Sequence, residues 1–330
     1  MTAGPRRASL QRMDVKTRAL AAARMPGVAW SFSRLGYRQH ARRFVPGELD
    51  GSLAGRVLVV TGATSGLGLA AARALAVRGA TLWLLCRDAG RGAAAAAEIA
   101  RAAPAARLEV AIVDMAELGS VAQVADAIRA DRIDALVHNA GALLDARRET
   151  GDGLEATFAM HVAGPHLLTR RLLPRLVAAR GRVVFVSSGG MYAERLSLDD
   201  VGWTARRFDG VRAYAAAKRM QVELAALWAA RAPELGVYAM HPGWADTPGV
   251  ATSLPGFYRA TRRFLRTPDE GADTIVWLAS APAIAAPSGS FVFDRAVAER
   301  HLLPGTEAPS GLPERLWAEL ERITDAAPAS

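Results

Sequence analysis

The segment Tyr214-Ala215-Ala216-Ala217-Lys218 sets a phenol and an ammonium four residues apart. On a helix these positions share one face, so both groups project to the same side. Reducing a carbonyl requires a proton for the developing alkoxide, and a free tyrosine with a pKa of about 10 holds its proton too firmly to deliver it readily near neutrality. A neighbouring cation lowers that value, which makes the pair a candidate for acid/base work. Lysine usage sharpens the point, because Lys16 and Lys218 are the only lysines beside thirty-nine arginines. A compact ammonium kept where the chain otherwise uses guanidinium suggests a group that tunes a phenol and touches hydroxyls. The bland alternative is an amphipathic helix with a surface lysine.

A second polar cluster, Ser187-Ser188-Gly189-Gly190, follows an apolar run that reads as a strand. The carboxyl ends of strands are where open α/β sheets bind ligands. Ser188 is the first choice to hydrogen-bond a substrate carbonyl and Ser187 the alternative, with one of the two serving the turn.

A third cluster, Thr61-Gly62-Ala63-Thr64-Ser65-Gly66-Leu67-Gly68, lies between an apolar run and an Ala-rich stretch. A tight turn, close approach of backbone to a pyrophosphate, and close helix-to-strand packing each exclude a Cβ, while a helix N-terminus offers free N–H groups to the anion. Gly-rich turns are common; strand before and helix after supply the context this one needs. The second strand ends in Cys86-Arg87-Asp88. Arg87 at that tip suits a ribose 2′-phosphate, which a carboxylate would repel, so NADP(H) is favoured over NAD(H). The competing reading has Asp88 on the ribose and Arg87 as an ordinary surface charge. Cys86 reads as a small apolar filler. Asp114, followed by Met115 at the end of the third strand, either meets the adenine edge or caps the next helix.

These groups need a frame, and the periodicity supplies one. Short aliphatic runs at 56–61, 81–86, 108–113, 133–139, 182–187, 236–241 and 290–294 alternate with helical stretches near 67–78, 90–102, 117–130, 153–179, 211–231 and 268–280. That is the pattern of βαβ units around a buried parallel sheet. The expected fold is a single α/β domain of Rossmann type, a doubly wound seven-stranded parallel sheet in the order 3-2-1-4-5-6-7. The expected organisation is a basic arm over 1–47, the Rossmann domain over 48–303, and a C-terminal amphipathic helix with a mobile tail over 304–330.

The formal charge of +9 is an arm property: residues 1–47 hold ten basic residues and one acid, and the remainder is balanced. A neutral body argues against a nucleic-acid groove over the fold. The arm, with Val28, Trp30, Phe32, Leu35 and Phe44 among its arginines, is either solvated or domain-hugging, or makes peripheral membrane contact. One cysteine excludes an internal disulfide and a cysteine zinc cluster, so no metal site is expected and a reducing, cytoplasmic setting is the simplest, with membrane association through the arm as the variant.

Taken together, the glycine motif, Asn139-Ala140-Gly141, Ser188, Tyr214, Lys218, and Pro242-Gly243 with Thr247 resemble the short-chain dehydrogenase/reductase family over residues 55–300, and its retinol-dehydrogenase-like reductases in particular. The resemblance implies an NADP(H)-dependent oxidoreductase acting on the carbonyl or alcohol of a small, lipophilic molecule, with a homo-oligomer expected. It implies that Asn139, Ala140 and Gly141 border the cofactor and that Pro242, Gly243 and Thr247 hold the nicotinamide. The interval of twenty-six residues from Ser188 to Tyr214 implies a loop over the active site at 191–213. One departure stands out. The family's catalytic asparagine, which helps to hold a water in a proton relay to the lysine, aligns with His161. Imidazole can donate and accept, so a relay with altered geometry is one reading. The others are a histidine satisfied by packing and, for the whole protein, a nucleotide-binding sensor or scaffold with little turnover.

Overall fold

A computed structural model describes residues 26–326. The first part of the arm, Lys16 included, and the end of the tail lie outside the described residues. The chain enters through two short helices, α1 (Pro26–Phe32) and α2 (Arg34–His40). Ser33 separates them and caps α2 by accepting from the Gly36 N–H. Strand and helix then alternate through β1 (Val57–Thr61), α3 (Gly66–Val77), β2 (Thr81–Cys86), α4 (Ala89–Ala102), β3 (Arg107–Ile112), α5 (Leu118–Ala127), β4 (Ala135–His138), α6 (Gly164–Ala179), β5 (Arg182–Val186), α7 (Gly210–Arg231) and β6 (Gly236–His241). Beyond β6 follow α8 (Pro248–Ser253), α9 (Pro255–Thr261), α10 (Pro268–Ser280), β7 (Phe291–Phe293), β8 (Ala296–Val297) and α11 (Leu312–Asp325).

The sheet order is β3-β2-β1-β4-β5-β6-β7-β8, parallel as far as β7. The anticipated seven strands are present in the anticipated order. The eighth, β8, is a two-residue antiparallel addition to β7, made possible by Asp294 and Arg295 at φ 48° and 59°. A pairing so short has no alternation to betray it. Helices cover both faces, so central strands such as β4 are buried along their length and read as unbroken aliphatic runs. One apolar core lies under α5, α6, α7 and α11. The other lies under α3, α10 and Ile99 of α4.

Two departures from the expected elements bear on the site. The stretch expected as one helix over 153–179 is instead a single turn at Ala156–Phe158, a wide π-type turn at Ala159–Ala163 that contains His161, and then α6. Such insertions gather at functional sites because they re-aim side chains. The segment 191–213 is irregular after a 3₁₀ turn at Gly189–Ala193, but it is not a free flap. Arg219 ties it down by donating to the carbonyls of Met191 and Glu194. With α7 it lines a cavity of about 150 Å³ beside Ala213, Ala216 and Met220, which lie on a different side of the helix from Tyr214 and Lys218.

Candidate active site

The carboxyl edge of the sheet gathers most of the singled-out residues. At the end of β1, Gly62 and Gly66 have φ of 67° and 54°, a region L side chains rarely adopt. A Cβ on Gly68 would stand 2.3 Å from the Gly62 carbonyl oxygen, so α3 can start this close to the turn only with glycine. Ser65, at the N-cap of α3, makes no side-chain cap bond. The first N–H groups of the helix therefore face the cleft without a protein cap, the arrangement that receives a pyrophosphate. Thr64, Ser65, Gly66 and Leu67 are all partly exposed around this cradle. Asn139 works beneath it: its side-chain amide donates to the carbonyls of Thr61 and Gly62, while the Asn139 and Ala140 N–H groups donate to the Thr61 hydroxyl. The Asn139-Ala140-Gly141 turn thus buttresses the glycine loop. A dinucleotide fits these residues.

At the tip of β2 the two candidates separate. Asp88 is the N-cap of α4, its Oδ1 accepting from the Arg91 N–H at 2.7 Å, while Arg87 is exposed. Cys86 is 4% exposed, and burial pushes its thiol up, as befits a packing residue. Asp114 accepts from the Ala116 N–H and so turns the chain after β3; the N-cap of α5 is Glu117. Met115 is buried beside it.

On the other side of the cleft, β5 delivers the serines. Ser187 is buried and donates to the Lys218 carbonyl at 2.8 Å, a structural task. Ser188 is partly exposed, caps the 3₁₀ turn through the Gly190 N–H at 3.3 Å, and stands beside the Tyr214 hydroxyl. Tyr214 and Lys218 stand on successive turns of α7, and the Lys218 Nζ is 5.4 Å from the Tyr214 ring centroid. Nζ donates to the Val186 carbonyl at 2.8 Å and to the Gln221 side-chain oxygen at 3.0 Å. The ammonium therefore lies over the ring, held by two neutral acceptors, and the lowering of the phenol's pKa expected from it is not realised. Burial pushes Tyr214 up, and the Ser188 side chain offsets part of that. Burial brings Lys218 itself down to about 7. Helical spacing brings two side chains to one face but does not fix where a four-carbon stem bends.

His161 is fully buried, and its Nδ1 lies 2.8 Å from the Thr157 carbonyl. A carbonyl only accepts, so Nδ1 carries the hydrogen. Burial, with the Lys218 cation, holds the ring's pKa at about 3, so the imidazole is neutral and Nε2 presents a lone pair. Nε2 has no partner and borders the same space beside Gly141 as Nζ: a Cβ on Gly141 would stand 2.6 Å from Nε2 and 3.6 Å from Nζ.

Beyond β6, Gly243 has φ 74°, and a Cβ there would strike the Arg266 guanidinium. The Thr247 hydroxyl caps α8, and its methyl group faces Gly66 across the cradle. Thr247 is therefore brought against the glycine loop, while Gly243 and the Pro242 carbonyl pack on Arg266.

Residues outside every sequence motif complete this edge. Arg266, 1% exposed, donates to both oxygens of Asp294 at 2.6 and 2.9 Å, to the carbonyls of Phe32 and Ser31, and at 3.4 Å to that of Pro242. His40 makes a 2.6 Å contact with the same carboxylate. Phe32 is buried against His241, Trp244 and Phe293 and lies under Gly189. The described part of the arm is thus fastened to the turn after β6. No local pattern announces Arg266 or Phe32, whereas Gln221 was within reach, three residues past Lys218 on the same helix face.

An uncapped glycine turn at the head of a doubly wound sheet, facing a serine, tyrosine and lysine, defines a class of nicotinamide-dependent oxidoreductases. The chain belongs to the short-chain dehydrogenase/reductase family: residues 56–256 match its family model, described as short chain dehydrogenase. It is 40% identical over 296 residues to dehydrogenase/reductase SDR family member 12 of Bos taurus, covering 88% of this chain and 93% of that protein. It is 32% identical over 272 residues to human retinol dehydrogenase 12, covering 80% and 85%. Among solved structures it resembles a 3-oxoacyl (acyl-carrier-protein) reductase from Agrobacterium tumefaciens with NADP bound, at TM-score 0.59 and 26% identity, covering 76% of this chain and 96% of that one.

Proposed function

We propose that this protein transfers hydride between NADP(H) and the carbonyl or alcohol of a small, lipophilic substrate, with Tyr214 as the acid/base. The observation that carries the reading is the meeting of Ser188 and Tyr214 at the open edge of the sheet, where the serine offsets part of the rise in the phenol's pKa, with Lys218 one turn further along α7. When bound, the cofactor supplies the hydride. In the reductive direction Ser188 and Tyr214 donate hydrogen bonds to the substrate oxygen, and the Tyr214 proton passes to that oxygen as negative charge develops. Ser188 then steadies the phenolate left behind, and Lys218 would bind the cofactor's ribose hydroxyls through its remaining N–H. His161 lies at the rear of the site, its lone pair toward the space beside Lys218.

Gly62, Thr64, Ser65, Gly66, Leu67 and Gly68 would cradle the pyrophosphate, with Asn139, Ala140 and Gly141 supporting that loop. Asp114 and Met115 would border the adenine, and Pro242, Gly243 and Thr247 the nicotinamide. The choice of NADP(H) rests on Asp88, whose carboxylate is occupied as a helix cap, beside an exposed Arg87. The NADP in the Agrobacterium reductase agrees with it. Lipophilicity of the substrate rests on Trp244 and Phe257, which pack edge to face 5.2 Å apart after β6.

Peripheral membrane contact belongs to the same reading. Trp30, Leu35 and Phe264 are 39%, 53% and 53% exposed, and the Arg34 N–H donates to the Phe264 carbonyl, joining the arm to the segment after α9. Exposed Arg42, Arg43, Arg259, Arg262 and Arg263 come from the same two segments. No helix among the described residues is long and apolar enough to cross a membrane. Co-sedimentation with anionic vesicles should be lost when residues 1–47 are removed or when Leu35 and Phe264 become serine. The homo-oligomer and the cytoplasmic setting expected from the sequence complete the proposal; light scattering checks the first.

The test of the reaction is NADPH consumption with a panel of aldehydes and ketones. Turnover by the wild type that falls by about 10²–10⁴-fold in Tyr214→Phe is expected. Tight NADPH binding with no turnover of any carbonyl would contradict the reading and favour a nucleotide-binding sensor.

A further inference from the structure

Gln221 is fully buried on α7 and makes two bonds at once. Its Oε1 accepts from Lys218 Nζ at 3.0 Å, and its Nε2 donates to the main-chain carbonyl of His161 at 2.8 Å. One carboxamide therefore spans from the ammonium to the wide turn at Ala159–Ala163. A carboxamide accepts through oxygen and donates through nitrogen, and near neutral pH it neither gains nor loses a proton. What stands between Lys218 and the His161 main chain is thus a fixed hydrogen-bonded bridge and not a link along which protons pass.

Every element around Nζ points the same way. From α7 the nearby titratable group is Tyr214, and from the wide turn it is His161, which is neutral. From β5 comes the Val186 carbonyl, a neutral acceptor. Among the described residues Lys218 forms no ion pair with a carboxylate, and Gln221 is the one side chain bonded to Nζ. Two of the three N–H groups are thereby committed, to Val186 and Gln221, which leaves one for the cleft.

We propose that Gln221 is a positioning residue that clamps the Lys218 ammonium to the turn carrying His161 and closes the path behind it, so that protons reach Tyr214 from the cleft side. The proposal rests on the reading of Tyr214 and Lys218 as the proton-handling pair. Its test does not require turnover.

Because the chain has two lysines, full-length protein grown with lysine labelled with ¹³C at Cε gives two lysine signals, and Lys16→Arg assigns them. The Lys218 signal is followed against pH in wild type, Gln221→Glu and Gln221→Leu, each checked for native circular dichroism. The isosteric glutamate still accepts from Nζ but adds a negative charge, which favours the ammonium, so the midpoint should rise by about 1–3 pH units. Leucine removes a hydrogen bond to the charged form, so the midpoint should fall by about one pH unit. Shifts in opposite directions support the clamp even in a protein without turnover, in which case it is the reading of the reaction that falls. A midpoint unmoved in both variants, or moved the same way in both, would overturn it and make Gln221 a packing residue. If Gln221→Leu does not fold, Gln221→Glu decides alone, since a midpoint that fails to rise contradicts the clamp.

Discussion

Two buried cations of this molecule are held in opposite ways. Arg266 and Lys218 are 1% and 3% exposed. Arg266 meets a bidentate carboxylate and three carbonyls, with the rings of Tyr37 and Phe293 within 5.2 and 4.9 Å. Lys218 meets two neutral acceptors, Val186 and Gln221. The first cation is compensated on every side and holds the arm to the turn after β6. The second is left short of counter-charge, so burial brings it to about 7, between its two protonation states at neutral pH. A buried cation that is fully paired is architecture. One that is under-paired is available for chemistry.

Acid should sharpen this contrast most, because several buried bases share the position of Lys218. His138, His161 and His241 have pKa values brought down to about 3 by burial. Unfolded, each takes up a proton below about 6.5. Between those values the unfolded chain binds more protons than the native one, so stability present near pH 7 is lost as pH falls, by about 4 kcal/mol per pH unit at the steepest. Circular dichroism should show the fold lost before pH 4; a cooperative native melt at pH 3.5 would contradict it.

The two cations should then part ways under substitution. Lys218→Met should lower NADPH turnover by about 10²–10⁴-fold while changing unfolding free energy by about 1 kcal/mol or less, since removing a desolvated charge offsets the two acceptors left unbonded. Asp294→Ala should do the reverse in kind, leaving Arg266 buried and uncompensated at a loss of about 3–5 kcal/mol in urea titrations. An Asp294→Ala protein as stable as wild type would break the distinction. Arg87→Ala should weaken NADPH binding by about 10–100-fold and leave NADH unchanged, read by fluorescence titration. The smallest effect is expected from His161→Asn, a turnover change within about 10-fold, because Gln221 and not the residue 161 side chain holds Lys218.

The same contrast explains what was legible in the sequence. Chemistry carried by local spacing could be read: Tyr214 and Lys218 on one helix face, Gly62 to Gly68 between strand and helix, and the aliphatic runs of β2 and β6, whose ends fall where periodicity sets them. The Arg266 knot could not, since Phe32 and Arg266 are 234 residues apart and Asp294 is brought in by a left-handed turn at φ 48°. The wide turn at His161 was hidden for another reason, as one extra residue in a helical stretch leaves the apolar pattern almost unchanged. The acidity of Tyr214 is not legible in the sequence, because helical spacing gives proximity without direction.

The most direct measurement is the pH titration of the wild-type Lys218 ¹³Cε signal with Lys16 as internal reference. The expected result is a midpoint about 7 for Lys218, against about 10.4 for an ordinary lysine. A Lys218 midpoint at the ordinary value would mean that its charge is fully compensated, and the difference between this cation and Arg266 would disappear.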